Sequence, residues 1–346
     1  MAYQQVGTPR FYVDNISWLM SLGVGVPEFE ANNLYGFNAS NPYKRIVTDA
    51  DVNETAMYFR FDYKKDGIKI PMTIPYNFCA FLGHELSTTN TGTDDYNYIT
   101  FDIVIPPTET ENEQRISPTY SSDIPSINWN PSIEINSDIS YDGFSIFNFQ
   151  ELLDEHYSTY IQVSEVVLDR NIQFGRFIAG KSYTLPHAPD LNLSLSYEYG
   201  TKTIETRGGA SLSNSFYSKP PMWGNLAAWE LGDGSENQNL GRNGRKIWDL
   251  SFSFLSQEDT FPKYDQLNML ATSTPAESQP DQYTLQGSND FYTQVVRKTN
   301  GGQLPFIFQP DSEENSFAIC KFDSKFAFQQ TAPGLMSVRC KIREVW

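Results

Sequence analysis

The stretch GRNGRKIWDLSFSFLSQED, Gly241 to Asp259, carries two patterns in succession. A cationic, glycine-punctuated segment comes first, with Arg242, Arg245 and Lys246 around Gly241 and Gly244. Trp248, Leu250, Phe252 and Phe254 then alternate with Asp249, Ser251 and Ser253. Successive side chains of an extended chain point to opposite faces, so this alternation predicts a strand with one apolar and one polar face. All four apolar side chains are expected to point into a core. The basic segment in front of them reads as a hairpin turn.

The same signal recurs outward in both directions. In MYFRFDYKKDGIKIPMTIP, Met57 to Pro75, two alternating runs flank Lys65-Asp66-Gly67. Asp-Gly between strands marks a hairpin, because the primed turn needs positive φ. Further strands are expected at 97–106, 132–135, 144–149, 160–169 and 191–197. C-terminal strands are expected at 291–296, 306–308, 317–320 and 336–342. One short helix is expected across Phe149–His156. The 24 Phe and 20 Tyr suit pleated, half-buried surfaces. The fold class is therefore mainly β: two β-sandwich- or barrel-like domains, an extended N-terminal arm and few short helices. Residues 1–50 form the arm, 51–170 a β-rich domain with a polar loop near 107–123, and 171–346 a sandwich-like C-terminal domain. The arm has two apolar clusters, Phe11-Tyr12-Val13 and Trp18-Leu19-Met20. Pairing with a neighbouring chain and pairing with its own domain are both open to it.

Charge narrows the partners. The formal net charge is -17, and phosphate affinity comes from clustered Lys and Arg. General nucleic-acid binding is not expected. Cys79, Cys320 and Cys340 are odd in number and lack CxxC spacing, so they read as buried thiols. No run approaches the apolar length of a membrane helix, and MAYQQVGTPRFYVDN does not read as a secretory signal. A soluble chain made in a cytosol is expected.

Several chemical motifs fail on inspection. A phosphate loop runs from a strand into a helix and ends Gly-Lys-Ser/Thr, whereas the 241–246 segment precedes a strand. Asp138, Ser140, Asp142 and Gly143 imitate the start of a calcium loop, but the twelfth position is Phe149 where a Glu is needed. His84, His156 and His187 are far apart and form no HExxH. No Gly-x-Ser-x-Gly elbow occurs. No catalytic residue, metal or cofactor is expected. Met222-Trp223 and Trp229 lie around Pro220-Pro221. Aromatic and Arg side chains anchor protein interfaces, so an interface is the favoured reading, with core packing and ligand binding as alternatives. The interface candidates are Arg242, Arg245, Lys246, Trp223, Trp229, Phe11 and Tyr12.

Long runs of the C-terminal half resemble a family of structural virion proteins of tailed bacteriophages, in versions from marine phages. They are SYTLPHAPDLNLSLSYEYGTKTIETRGGASLSNSFYSKPPMWGNLAAWEL (182–231), GRNGRKIWDLSFSFLS (241–256), VVRKTNGGQLPFIFQPD (295–311), FAICKFD (317–323) and CKIREVW (340–346). The opening MAYQQVGTPRFYVDNISWL is similar to the start of the same proteins; residues 50–170 are less distinctive. The resemblance implies a tail or baseplate component with a distal-tail-like C-terminal block. It implies other virion tail proteins as partners, a homo-oligomer (a ring or a trimer), and assembly in the bacterial cytoplasm into the virion. It brings no catalytic or metal motif. A receptor- or glycan-binding virion component touching the host surface and a head–tail connector are the alternatives.

Overall fold

The structure is a computed structural model. It describes residues 6–27, 31–36, 41–46, 56–84, 98–105, 114–117, 143–164, 171–191, 193–199, 201–215, 222–223, 226–227, 231, 244–261, 289–314, 316–323 and 326–345. The chain is mainly β with a few short helices.

The strand quoted above runs from Arg245 to Ser256. It pairs antiparallel with Ser194–Glu198 on one side and Leu335–Glu344 on the other. Trp248, Leu250 and Phe252 are buried as the alternation requires. Phe254 is not: it is 71% exposed, with φ at 66°, and Leu255 takes the buried place. The register shifts between Phe252 and Leu255. An extra residue in one strand turns every later side chain to the other face. The Asp190 carboxylate braces this bulge, accepting from the Ser253 N–H at 3.2 Å and from the Ser253 and Ser251 hydroxyls at 2.8 and 3.0 Å.

This strand belongs to a ten-stranded sheet. Its order is Ser194–Glu198, Arg245–Ser256, Leu335–Glu344, Ala318–Phe322, Phe306–Gln309, Arg10–Asp14, Arg176–Thr184, Tyr76–His84 and Gly143–Leu152. Ala327–Ala332 adds to Leu335–Glu344. Every pairing is antiparallel. The sheet draws strands from all three expected segments, so it crosses the boundaries at residues 50 and 170.

Within the segment expected to be an N-terminal arm, the first strand pairs inside its own chain and a helix follows it. Arg10–Asp14 lies between Phe306–Gln309 and Arg176–Thr184. Phe11 and Tyr12 are fully buried, Phe11 on one face of the sheet and Tyr12 on the other. They present no surface to a neighbour, which corrects their reading as interface residues. Gly180 permits the close approach: a Cβ there would sit 1.9 Å from the Val13 carbonyl oxygen. Asp14 ends the strand and caps the helix Asn15–Ser21, accepting from the Ile16 N–H at 3.0 Å.

A six-stranded sheet orders Gly25–Pro27, Ala56–Lys65, Ser158–Ser164, Tyr98–Ile105 and Gln114–Ile116, with Ile68–Lys69 paired to Ala56–Lys65. The Asp66-Gly67 hairpin is present, with φ of 53° and 83°. Phe59, Phe61, Tyr63, Phe101, Ile103 and Ile161 of this sheet share one core with Cys79, Phe81, Phe147, Phe149, Phe177 and Ala179 of the large one. A second core gathers Phe11, Trp248, Leu250, Phe308 and Ile342. The π-type helix Tyr292–Arg297 closes it with Val295 and Val296.

Two local expectations change here. The expected strand at 291–296 is that helix, started by Asp290, whose carboxylate accepts from the Thr293 N–H at 2.7 Å. The expected helix at Phe149–His156 is instead the end of the strand Gly143–Leu152. Residues 107–113, 118–123 and 132–135 lie outside the described residues.

Candidate functional site

Arg242 and Trp229 lie outside the described residues, as do Asp138, Ser140 and Asp142. Trp223 belongs to a two-residue strand, Met222–Trp223, paired with Leu226–Ala227. Arg245 and Lys246 are strand residues, with Arg245 opposite Glu198 and Lys246 opposite Tyr197. The Lys246 N–H donates to the Glu344 carboxylate at 2.9 Å. The backbone of the basic segment thus meets a carboxylate of its own chain at Lys246. Next to it, Arg343 binds Glu198, Arg339 donates twice to Asp249 at 3.1 and 3.0 Å, and Lys341 lies 3.4 Å from Asp323. Such exposed pairs contribute little stability each; across neighbouring strands they favour one register.

The buried polar groups form separate clusters. Arg176 donates to Asp14 at 2.7 Å, to the Tyr35 carbonyl at 3.1 Å, and to the Ser17 hydroxyl. It ties the N-terminal helix to the centre of the large sheet. Burial pushes the Arg176 guanidinium down and the Asp14 carboxylate pushes it back up.

A second cluster lies between the sheets. His156 Nδ1 is 2.7 Å from the Asp154 carbonyl, which only accepts, so Nδ1 carries the proton. Nε2 then accepts from the Tyr63 hydroxyl at 2.9 Å, and Tyr63 accepts from Tyr76 at 2.8 Å. Burial holds His156 down to about 4 and pushes both tyrosines up. His84 is likewise held to about 4 by burial, with Nε2 at 2.7 Å from the Ser145 hydroxyl. Lys298 is buried beside Trp18 and donates to the Gln294 side chain at 2.8 Å. Burial, then the charge of Lys181, brings it down to about 7 against the opposing pull of Glu151. These side chains are closed to solutes and join elements of the fold.

The outward-facing chemistry is apolar and concentrated. Leu191, Tyr197, Tyr199, Ile204 and Leu212 are all exposed large side chains within one stretch of the chain. Ser194–Glu198 is an end strand of the large sheet, paired on one side among the described residues. The hairpin Thr201–Glu205 with Ser211–Ser215 follows it, with Ile204 directly opposite Leu212. Those two are 54% and 60% exposed. An isolated two-stranded hairpin is marginal in water, so an outward apolar pair on one marks a candidate contact surface. Sequence reasoning passed over this edge because its strand, SLSYE, carries few apolar residues. The usable signal was tyrosine and leucine alternating with serine next to a Gly-Gly turn.

No family model and no curated protein matches the chain. Among solved structures it is similar to chitosan-binding module 1 of a chitosanase/glucanase from Paenibacillus sp. IK-5, at 7% identity and a TM-score of 0.26, over 45% of this chain and 93% of that one. It is also similar to the Streptococcus pneumoniae β-galactosidase BgaA, at 9% identity and a TM-score of 0.27, over 52% of this chain and 95% of that one. Likenesses this low carry no argument about function.

Proposed function

We propose that this chain is a structural subunit of a bacteriophage tail, at the tail tip or baseplate, acting through protein–protein assembly. The observation that carries the reading is where its exposed apolar side chains lie. Tyr197 stands on a strand with one neighbour among the described residues, Leu191 and Tyr199 flank that strand, and Ile204 and Leu212 pair on the hairpin that follows it in the chain. That edge falls within 182–231, the longest run that resembles virion proteins. The polar clusters between and behind the sheets serve this role as struts, since Arg176, His156 and Lys298 are buried where they tie elements together. A rigid sheet with one adhesive edge suits a subunit that meets its neighbours by shape and register.

Immunogold labelling of intact particles tests this. Antibody to the chain is expected to decorate the distal end of the tail. Label confined to the capsid, or purified particles that lack the chain, would overturn the proposal.

A further inference from the structure

We infer that two copies of this chain join through the Ser194–Glu198 edge, strand against strand, antiparallel about a two-fold axis at Ser196. The inference deepens the assembly reading by naming a partner and a register, and it rests on its own observations. Edge strands expose unpaired N–H and C=O groups and invite another strand. Natural edges are guarded by charged side chains, Pro or bulges; SLSYE has no Pro and no register shift, and its one charge, Glu198 at the strand's end, is paired with Arg343 of the same chain. The sheet it ends is antiparallel throughout its described pairings, so a symmetric copy continues the same pattern.

The register follows from side-chain direction. Leu195 leans on the second core and Tyr197 shares its face, while Ser194, Ser196 and Glu198 share the other. Opposed residues must point to the same face, so only slips by two keep the core face continuous. With the axis at Ser196, all five strand residues pair. Ser194 meets the partner's Glu198, and Leu195 meets the partner's Tyr197. One step beyond the strand, Leu193 meets the partner's Tyr199. Four apolar pairs then form across the axis, and no like charges oppose. A slip of two moves the axis to Leu195 or Tyr197 and leaves Glu198 or Ser194 without a partner in the strand; a slip of four, to Glu198, sets that carboxylate against the partner's Glu198, which is destabilising. A second copy of this chain thus supplies the complementary pattern without any other protein.

Sedimentation velocity on the full chain, with circular dichroism to confirm folding, tests the inference. The wild type is expected to be a dimer. Ser196→Lys places two ammonium groups opposite each other on the polar face, outside the core, and is expected to weaken the dimer at least about tenfold. Ser196→Cys puts two thiols at an antiparallel pair, with Cα atoms about 4.5–5.5 Å apart, within disulfide reach. Mild oxidation is expected to yield a covalent dimer, because the native Cys79, Cys320 and Cys340 are buried. A monomeric wild type, a dimer unchanged by Ser196→Lys, or a Ser196→Cys protein that does not cross-link each overturns the inference. A monomer whose antibody still labels the tail leaves the virion reading standing, and a dimer absent from the tail leaves the edge pairing standing.

Discussion

Arg10–Asp14 and Ser194–Glu198 are five-residue strands of the same sheet with opposite fates. The first is paired on both sides and covered on both faces, and all five residues are buried. The second has one described neighbour and is mostly exposed. RFYVD holds three successive apolar residues between Arg10 and Asp14, and SLSYE is alternating and serine-rich. A strand that must satisfy two faces needs apolar residues at successive positions, whereas an edge strand needs them on one. Position in the sheet, rather than strand propensity, separates buried scaffold from exposed edge in this chain.

The difference predicts a hierarchy of mutational effects. At the centre, Phe11→Ala and Arg176→Met should each cost about 3–5 kcal/mol. The first leaves a cavity among Phe291, Phe306, Phe308 and Phe322. The second strands the buried Asp14 carboxylate. Urea denaturation of the full chain measures both. If either matched the wild type, Arg10–Asp14 and its partner Arg176–Thr184 would not hold the centre of the sheet.

Lys298 gives a pH-dependent test of the interior. It is held near 7 in the fold and returns to about 10.4 when unfolded. Below pH 7 both states are charged, and the fold bears the full cost of burying the ammonium. Between pH 7 and about 10 the unfolded chain binds more protons, so stability rises with pH. Lys298→Met should therefore stabilise by on the order of 2 kcal/mol at pH 6, with the gain shrinking towards pH 10. Thermal unfolding across that range should show the two curves converging as pH rises.

The bulge offers a smaller effect. Phe254 occupies the left-handed region, where a side chain is strained and glycine is not. Phe254→Gly should stabilise by about 0.5–1 kcal/mol. At the edge, Tyr197→Ser should change monomer stability by less than about 0.5 kcal/mol while weakening self-association. A large loss of stability there would mean that the edge is core after all.

The parts legible in sequence are those set by near neighbours. Trp248, Leu250 and Phe252 follow a two-residue period, and Asp66-Gly67 turns a hairpin with its own backbone. The parts that were not legible are set at a distance. Phe254 turns outward because Asp190, 63 residues before Ser253, braces a bulge. The N-terminal strand is central because Tyr12 meets Gln309, 297 residues away. Thr293, Val295 and Val296 suggest a strand, yet the Asp290 cap and the apolar floor beneath them select a helix. The basic segment invited an external partner because Glu344, which accepts from the Lys246 N–H, lies 98 residues away on another strand. Only the aromatic edge, spread thinly among serines, was present in the sequence and overlooked.

Hydrogen–deuterium exchange on the full chain, over a range of protein concentrations, compares the two strands most directly. Amides of Arg10–Asp14 should be protected at every concentration. Amides of Ser194–Glu198 should exchange quickly when dilute and become protected as concentration rises. Edge amides that exchange fast at all concentrations would contradict the claim that this edge is an assembly surface between copies.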